Sequence, residues 1–133
     1  MASASPDKSL TTILAVDDDR AVLGMLDQCL RMAGYDVLLA DGGRRAIETF
    51  ENSTRPVDLL LTDVIMPDLT GPVVAERLRA RKPDLPVMFI SGFHDADLVQ
   101  RFVTSKGFTL LPKPFTVEAL LRGVSACLGV PER

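Results

Sequence analysis

The chain has 133 residues, 47% of them hydrophobic and 25% charged, with a net charge of −3. That length suits one domain with a single continuous core, and the composition excludes a wholly disordered chain. The slight acidic surplus argues against direct nucleic-acid binding, and no apolar run approaches the roughly 20 residues of a membrane-spanning helix.

The opening stretch, "MASASPDKSLTT", lacks the charged and then apolar layout of a signal peptide. Residues 1–11 read as a flexible lead. The first short apolar run, "ILAV" (13–16), follows and ends in Asp17, Asp18 and Asp19. From Arg20 to Ala33 the residues Val22, Leu23, Leu26, Cys29, Leu30 and Ala33 recur at helical spacing, and Gly34 supplies a stop. "VLLA" (37–40) is a second short run, and Ala46, Ile47 and Phe50 mark a second helix. "LLLT" (59–62) runs into Asp63, after which Met66, Pro67 and Gly71 shape a turn. Val74, Ala75 and Leu78 mark a third helix, with Pro72 suited to its first turn. "VMFIS" (87–91) precedes Gly92, and Leu98 and Phe102 mark a fourth helix that Gly107 ends. "FTLL" (108–111) leads to Lys113 and Pro114. Val117, Leu120, Leu121, Val124 and Leu128 then form a fifth helical stripe, with Thr116 as its N-cap. Residues 130–133 read as a tail.

None of the five apolar runs alternates with polar residues, so each reads as a strand covered on both sides. Five strand–helix repeats imply a parallel sheet with helices on both faces, a doubly wound α/β fold. Such folds place ligands outside the carboxyl ends of the strands. Cys29 and Cys127 lie in helical patterns far apart, without metal-ligand spacing, and read as reduced, buried thiols of a cytoplasmic protein.

The strand ends therefore decide function. Asp17, Asp18, Asp63, Ser91 and Lys113 would converge in one cleft. Singly, each has an ordinary explanation: a helix cap for the aspartate run, with Asp19 suited to that role, a turn for Asp63 or Ser91, a surface lysine for Lys113. Together they differ. Carboxylates crowded in a partly buried cleft repel unless a cation joins them, and an all-oxygen set suits a hard ion such as Mg²⁺. Acidic cluster, hard cation, lysine and hydroxyl are equipment for phosphoryl transfer, in which an aspartate can itself be the acceptor.

In order and spacing, "ILAVDDDRAV", "LLLTDVIMPDLTG", "VMFISGF" and "LLPKPFT" resemble the receiver domain of two-component response regulators. The wording is closest to receivers of hybrid sensor histidine kinases or their stand-alone relatives. The resemblance spans about Thr12 to Leu128 and implies a flavodoxin-like (βα)5 fold, strand order 2-1-3-4-5, over residues 12–129. It implies that Asp63 is the phosphoacceptor and that Asp18 and Asp63 ligate Mg²⁺ directly. Asp17 would act largely through water, and the Ile65 backbone carbonyl would complete the protein ligands. Ser91 and the Gly92 backbone would contact the phosphoryl group, with Ser91 moving on phosphorylation. Lys113 would pair with the phosphate, and the Lys113–Pro114 bond would be cis. One position departs from the pattern: receivers usually carry Tyr or Phe three residues before the lysine, and here Leu110 stands there, which puts the usual aromatic readout in question.

The partner implied is a histidine kinase or histidine phosphotransfer protein, and the domain would be a cytoplasmic monomer or a phosphorylation-dependent dimer, not a turnover enzyme. With no DNA-binding segment or output enzyme after Leu128, it would act through protein contact or within a longer polypeptide. Three rival classes are weaker. A haloacid-dehalogenase-like phosphatase needs a second carboxylate where Ile65 stands. A flavodoxin-like flavin binder would have its phosphate repelled by Asp17, Asp18 and Asp19. A degenerate receiver would have lost an acid or the lysine.

Overall fold

Side-chain alternation along β1 (Thr12–Val16) builds the layers of the molecule. Ile13 and Ala15 point into one apolar cluster, Leu14 and Val16 into another, and all four are fully buried. The computed structural model describes residues 11–92 and 108–129. β1 is followed by α1 (Arg20–Met32), β2 (Asp36–Ala40), α2 (Gly43–Asn52), β3 (Leu59–Asp63), α3 (Gly71–Arg81), β4 (Val87–Ser91), β5 (Thr109–Pro112) and α4 (Val117–Leu128). The strands form one parallel sheet in the order β2-β1-β3-β4-β5. The helix expected around Leu98 and Phe102, with its Gly107 stop, lies outside the described residues.

Leu14, Val16, Leu60 and Phe89 meet Ala46 of α2 and Val74, Ala75 and Leu78 of α3 on one face. Ile13, Ala15, Leu59, Leu61, Met88 and Ile90 meet Leu23, Leu26 and Leu30 of α1 and Leu120 and Val124 of α4 on the other. Burial on both faces holds for β1, β3 and β4, whose residues are all buried. It fails for the two edges: Leu39 of β2 is 39% exposed, and within β5 only Leu111 is buried. An edge strand has one neighbour, so the helices overlap it less.

The helix ends follow local chemistry. Asp19 accepts hydrogen bonds from the Ala21 and Val22 N–H groups at 2.9 and 3.4 Å, which caps α1. At its other end Gly34 takes φ 97°, its N–H donates to the Arg31 carbonyl, and the Tyr35 N–H donates to Leu30. Glycine is the residue that adopts this left-handed closure without steric cost. Thr70 and Thr116 cap α3 and α4 through the Val73 and Ala119 N–H groups, and Pro72 stands in the first turn of α3. Cys29 and Cys127 are free but half-buried, not buried as expected, because each sits at the margin of its helix's apolar stripe.

Candidate functional site

Register brings the chemistry-bearing residues together. Val16 pairs with Thr62, Asp63 with Ile90, and Ser91 with Pro112, so the chain leaves β1, β3, β4 and β5 side by side. Asp63 is itself the last residue of β3, which extends one position past the apolar run. Among the described residues, Asp17, Asp18 and Asp63 form a cluster in which one carboxylate oxygen from each lies within 4.8 Å of the others. Asp17 and Asp63 are buried, while Asp18 is exposed at the mouth.

Each buried carboxylate has one committed oxygen. Asp17 Oδ1 accepts from the Asp19 N–H at 2.8 Å, and Asp63 Oδ1 accepts from the Val64 N–H at 2.9 Å. Their Oδ2 atoms face Lys113, whose Nζ stands 3.6 Å from Asp17 and 3.9 Å from Asp63. Those separations are ion pairs rather than hydrogen bonds, and the buried Asp17 Oδ2 accepts no hydrogen bond from the described residues. Burial pushes the Asp63 carboxyl up to about 6, and the Asp17 charge adds to this against the opposing pull of Lys113 and the Val64 N–H. Burial also raises Asp17, opposed by the Asp19 N–H and by Lys113.

One ammonium thus faces two buried carboxylates, and an exposed third stands beside them. An orphaned buried oxygen and an all-carboxylate donor set are what a hard divalent cation would complete, so these residues fit a metal ion. Lys113 is fixed from behind, its N–H donating to the Ser91 carbonyl at 2.8 Å, and the Lys113–Pro114 bond is cis. Ser91 is buried, and its hydroxyl donates to the Gly92 carbonyl at 3.1 Å. Ile65 turns its side chain outward, 54% exposed, between buried Val64 and Met66. Leu110, like Phe108, is partly buried and packs against the cluster that includes Phe89.

Sequence reasoning missed Asp68. Its carboxylate accepts from the N–H groups of Gly43 at 3.0 Å, Arg44 at 2.9 Å and Leu69 at 2.8 Å. These donors, Arg44 first, hold the Asp68 carboxyl below the ordinary carboxylate range. The available signal was the Gly42–Gly43 pair opening α2 without a capping side chain.

Residues 13–125 match the family model described as the response regulator receiver domain. The chain belongs to the receiver family. A sensor kinase, CckA of Brucella abortus, is 32% identical over 120 residues, covering 90% of this chain and 13% of the kinase. The response regulator MprA of Mycobacterium leprae is 40% identical over 116 residues, 87% of this chain and 50% of that protein. The crystal structure of the receiver domain of the hybrid histidine kinase CckA is 36% identical. It superposes with a TM-score of 0.71 over 88% of this chain and 98% of that one. The chain thus spans half or less of the two full-length relatives.

The receiver's place is therefore two-component signalling, where receivers accept phosphoryl groups from histidine kinases or phosphotransfer proteins and are not turnover enzymes. The expected likeness to hybrid-kinase receivers has its counterpart in CckA, and the sheet order matches the expected fold. Among the described residues, no helix is long and apolar enough to cross a membrane.

Proposed function

We propose that Asp63 of this receiver, within a unit spanning residues 12–129, accepts a phosphoryl group from the phosphohistidine of a kinase or phosphotransfer protein. The observation that carries this reading is the pairing of buried Asp63 with Lys113 inside the cluster of three carboxylates. Asp63 Oδ1 is held by Val64, which leaves Oδ2 for chemistry. That oxygen bonds to phosphorus as the P–N bond to the donor imidazole breaks, and the bonding electron pair stays on the imidazole nitrogen. Without the metal the carboxylate ionises above a pH of about 6, and a bound cation would favour that ionised, attacking form.

Mg²⁺ held by Asp18, Asp63, the Ile65 carbonyl and, through water, Asp17 would supply charge neutralisation for the transferring oxygens. Lys113 supplies a fixed positive charge on the same side. Ser91 and the Gly92 backbone bind the phosphoryl oxygens, and the Ser91 hydroxyl leaves the Gly92 carbonyl to do so. Half-buried Leu110 brings no ring or hydroxyl to that movement. The free cysteines suit a reducing compartment, so the protein works in the cytoplasm, through contact with another protein.

The test is phosphoryl uptake from a small acyl-phosphate donor with and without Mg²⁺. The wild type takes up one group per chain only with Mg²⁺, and Asp63→Asn takes up none. Equal uptake by the variant would overturn the assignment.

A further inference from the structure

The loop from Val64 to Thr70 is anchored at three points. Near its start the Gly71 N–H donates to the Val64 carbonyl at 2.7 Å, closing the loop at its base. In the middle, Met66 is buried in the core. Beyond it, Asp68 reaches across to α2. Ile65, whose carbonyl belongs to the proposed metal site, lies between the first two anchors and upstream of the third.

The Asp68 contact is built from both sides. A helix N-terminus leaves its first N–H groups without internal partners, and Gly42 at the N-cap of α2 has no side chain to satisfy them. Asp68 supplies both oxygens instead, one to Gly43 and one to Arg44. The two glycines make room for this. A Cβ on Gly42 would stand 3.3 Å from Asp68 Oδ2, and one on Gly43 would stand 2.6 Å from the Cβ of Leu69. Gly42–Gly43 is a socket and Asp68–Leu69 is what fills it.

We propose that Asp68 is a positioning residue of the acceptor site, a latch that makes the loop after Asp63 and the first turn of α2 one mechanical unit. This rests on the assignment of Asp63 and Ile65 to the metal and phosphoryl site. The latch holds the loop in the arrangement that presents the Ile65 carbonyl. By reciprocity, occupancy of the site tightens the start of α2. Arg44 and Leu69, on the two sides of the latch, also line the cleft between α2 and α3. A change at Asp63 therefore reaches an outer surface through Asp68.

The experiment measures Mg²⁺ affinity by calorimetry and amide exchange of Gly43 and Arg44 by NMR. In the wild type, Mg²⁺ slows exchange at both amides. Asp68→Ala weakens Mg²⁺ by about ten-fold, as loss of a group that orients a metal ligand does, and Asp68→Asn, which keeps one acceptor oxygen, falls between. Asp58→Ala serves as control: it removes a carboxylate–amide bond of the same kind, to the Thr12 N–H at the opposite end of β1, and leaves Mg²⁺ affinity unchanged. Unchanged affinity in Asp68→Ala overturns the latch while leaving the Asp63 assignment intact, and so do Gly43 and Arg44 amides indifferent to Mg²⁺ in the wild type. A wild type that binds no Mg²⁺ overturns both.

Discussion

Gly71 packs its bare Cα against the carbonyl of Asp63, so closely that a Cβ at Gly71 would run into that oxygen. The obstacle is backbone, which cannot swing aside as a side chain can. Gly71 does not have a positive φ, so the need for glycine here is one of space alone. The first turn of α3 can thus close against the end of β3 and fix the direction in which Asp63 leaves the sheet.

Gly71→Ala is therefore expected to destabilise the protein by about 2 kcal/mol, the usual scale of overpacking, and to slow phosphoryl uptake. Gly24→Ala is the counterpart: inside α1, a Cβ at Gly24 would meet nothing among the described residues within 4 Å. That change should stabilise by about 0.5–1 kcal/mol through helix propensity. Urea denaturation of both variants checks the pair, and equal midpoints would refute the steric account.

The apo protein should lose stability as pH rises through the mildly acidic range. Asp63 has an ordinary value of 3.8 and a folded value of about 6. Between them the folded state binds more protons than the unfolded one, so stability is full below the lower value and falls until the upper is passed. Asp17 is shifted the same way, while Asp68, shifted down, acts below its ordinary carboxylate range. Over that whole span the loss from Asp63 is on the order of 3 kcal/mol. Denaturation midpoints at pH 5 and pH 7.5, without Mg²⁺, should differ in the wild type and much less in Asp63→Asn. An undiminished difference in the variant would assign the effect elsewhere.

Two substitutions should move the Asp63 titration in opposite directions. Asp17→Asn removes a like charge and lowers its midpoint, whereas Lys113→Met removes the opposing cation and raises it. Carbon-detected NMR titration of the carboxyl reads both. Absence of both shifts would show that burial alone sets the value, and shifts of the same sign would contradict the opposed roles of the two charges.

Much of this was readable in the residues. The three central strands announced themselves as apolar runs because both faces are buried, and the capping residues Asp19 and Thr116 stood where helix chemistry requires them. Strand limits were less visible, since Thr12 and Asp36 extend β1 and β2 by pairing with each other rather than by hydrophobicity. The edge exposure of Leu39 depends on helix overlap, which no local pattern encodes. Asp68 was missed for a related reason: its partners, Gly43 and Arg44, stand about two dozen residues earlier, so the cap has no short-range signature.

Asp18 is exposed at the mouth of the cluster and makes the metal test separable from folding. Asp18→Ala should weaken Mg²⁺ by more than the roughly ten-fold typical of losing a supporting hydrogen bond, and should leave the apo protein equally or slightly more stable as carboxylate repulsion is relieved. Calorimetric titration gives the affinity and urea denaturation the stability. Unchanged affinity would remove Asp18 from the ligand set.

Of the three clustered aspartates, Asp63 alone is expected to carry the phosphoryl group. Borohydride converts an acyl phosphate to the corresponding alcohol, so trapping the phosphorylated wild-type protein and sequencing its peptides by mass spectrometry locates the acceptor directly. The expected result is a single reduced residue at position 63, present only when Mg²⁺ and the donor were both supplied. Reduction at Asp17 or Asp18, or at no aspartate in a protein that has taken up phosphate, would contradict the account.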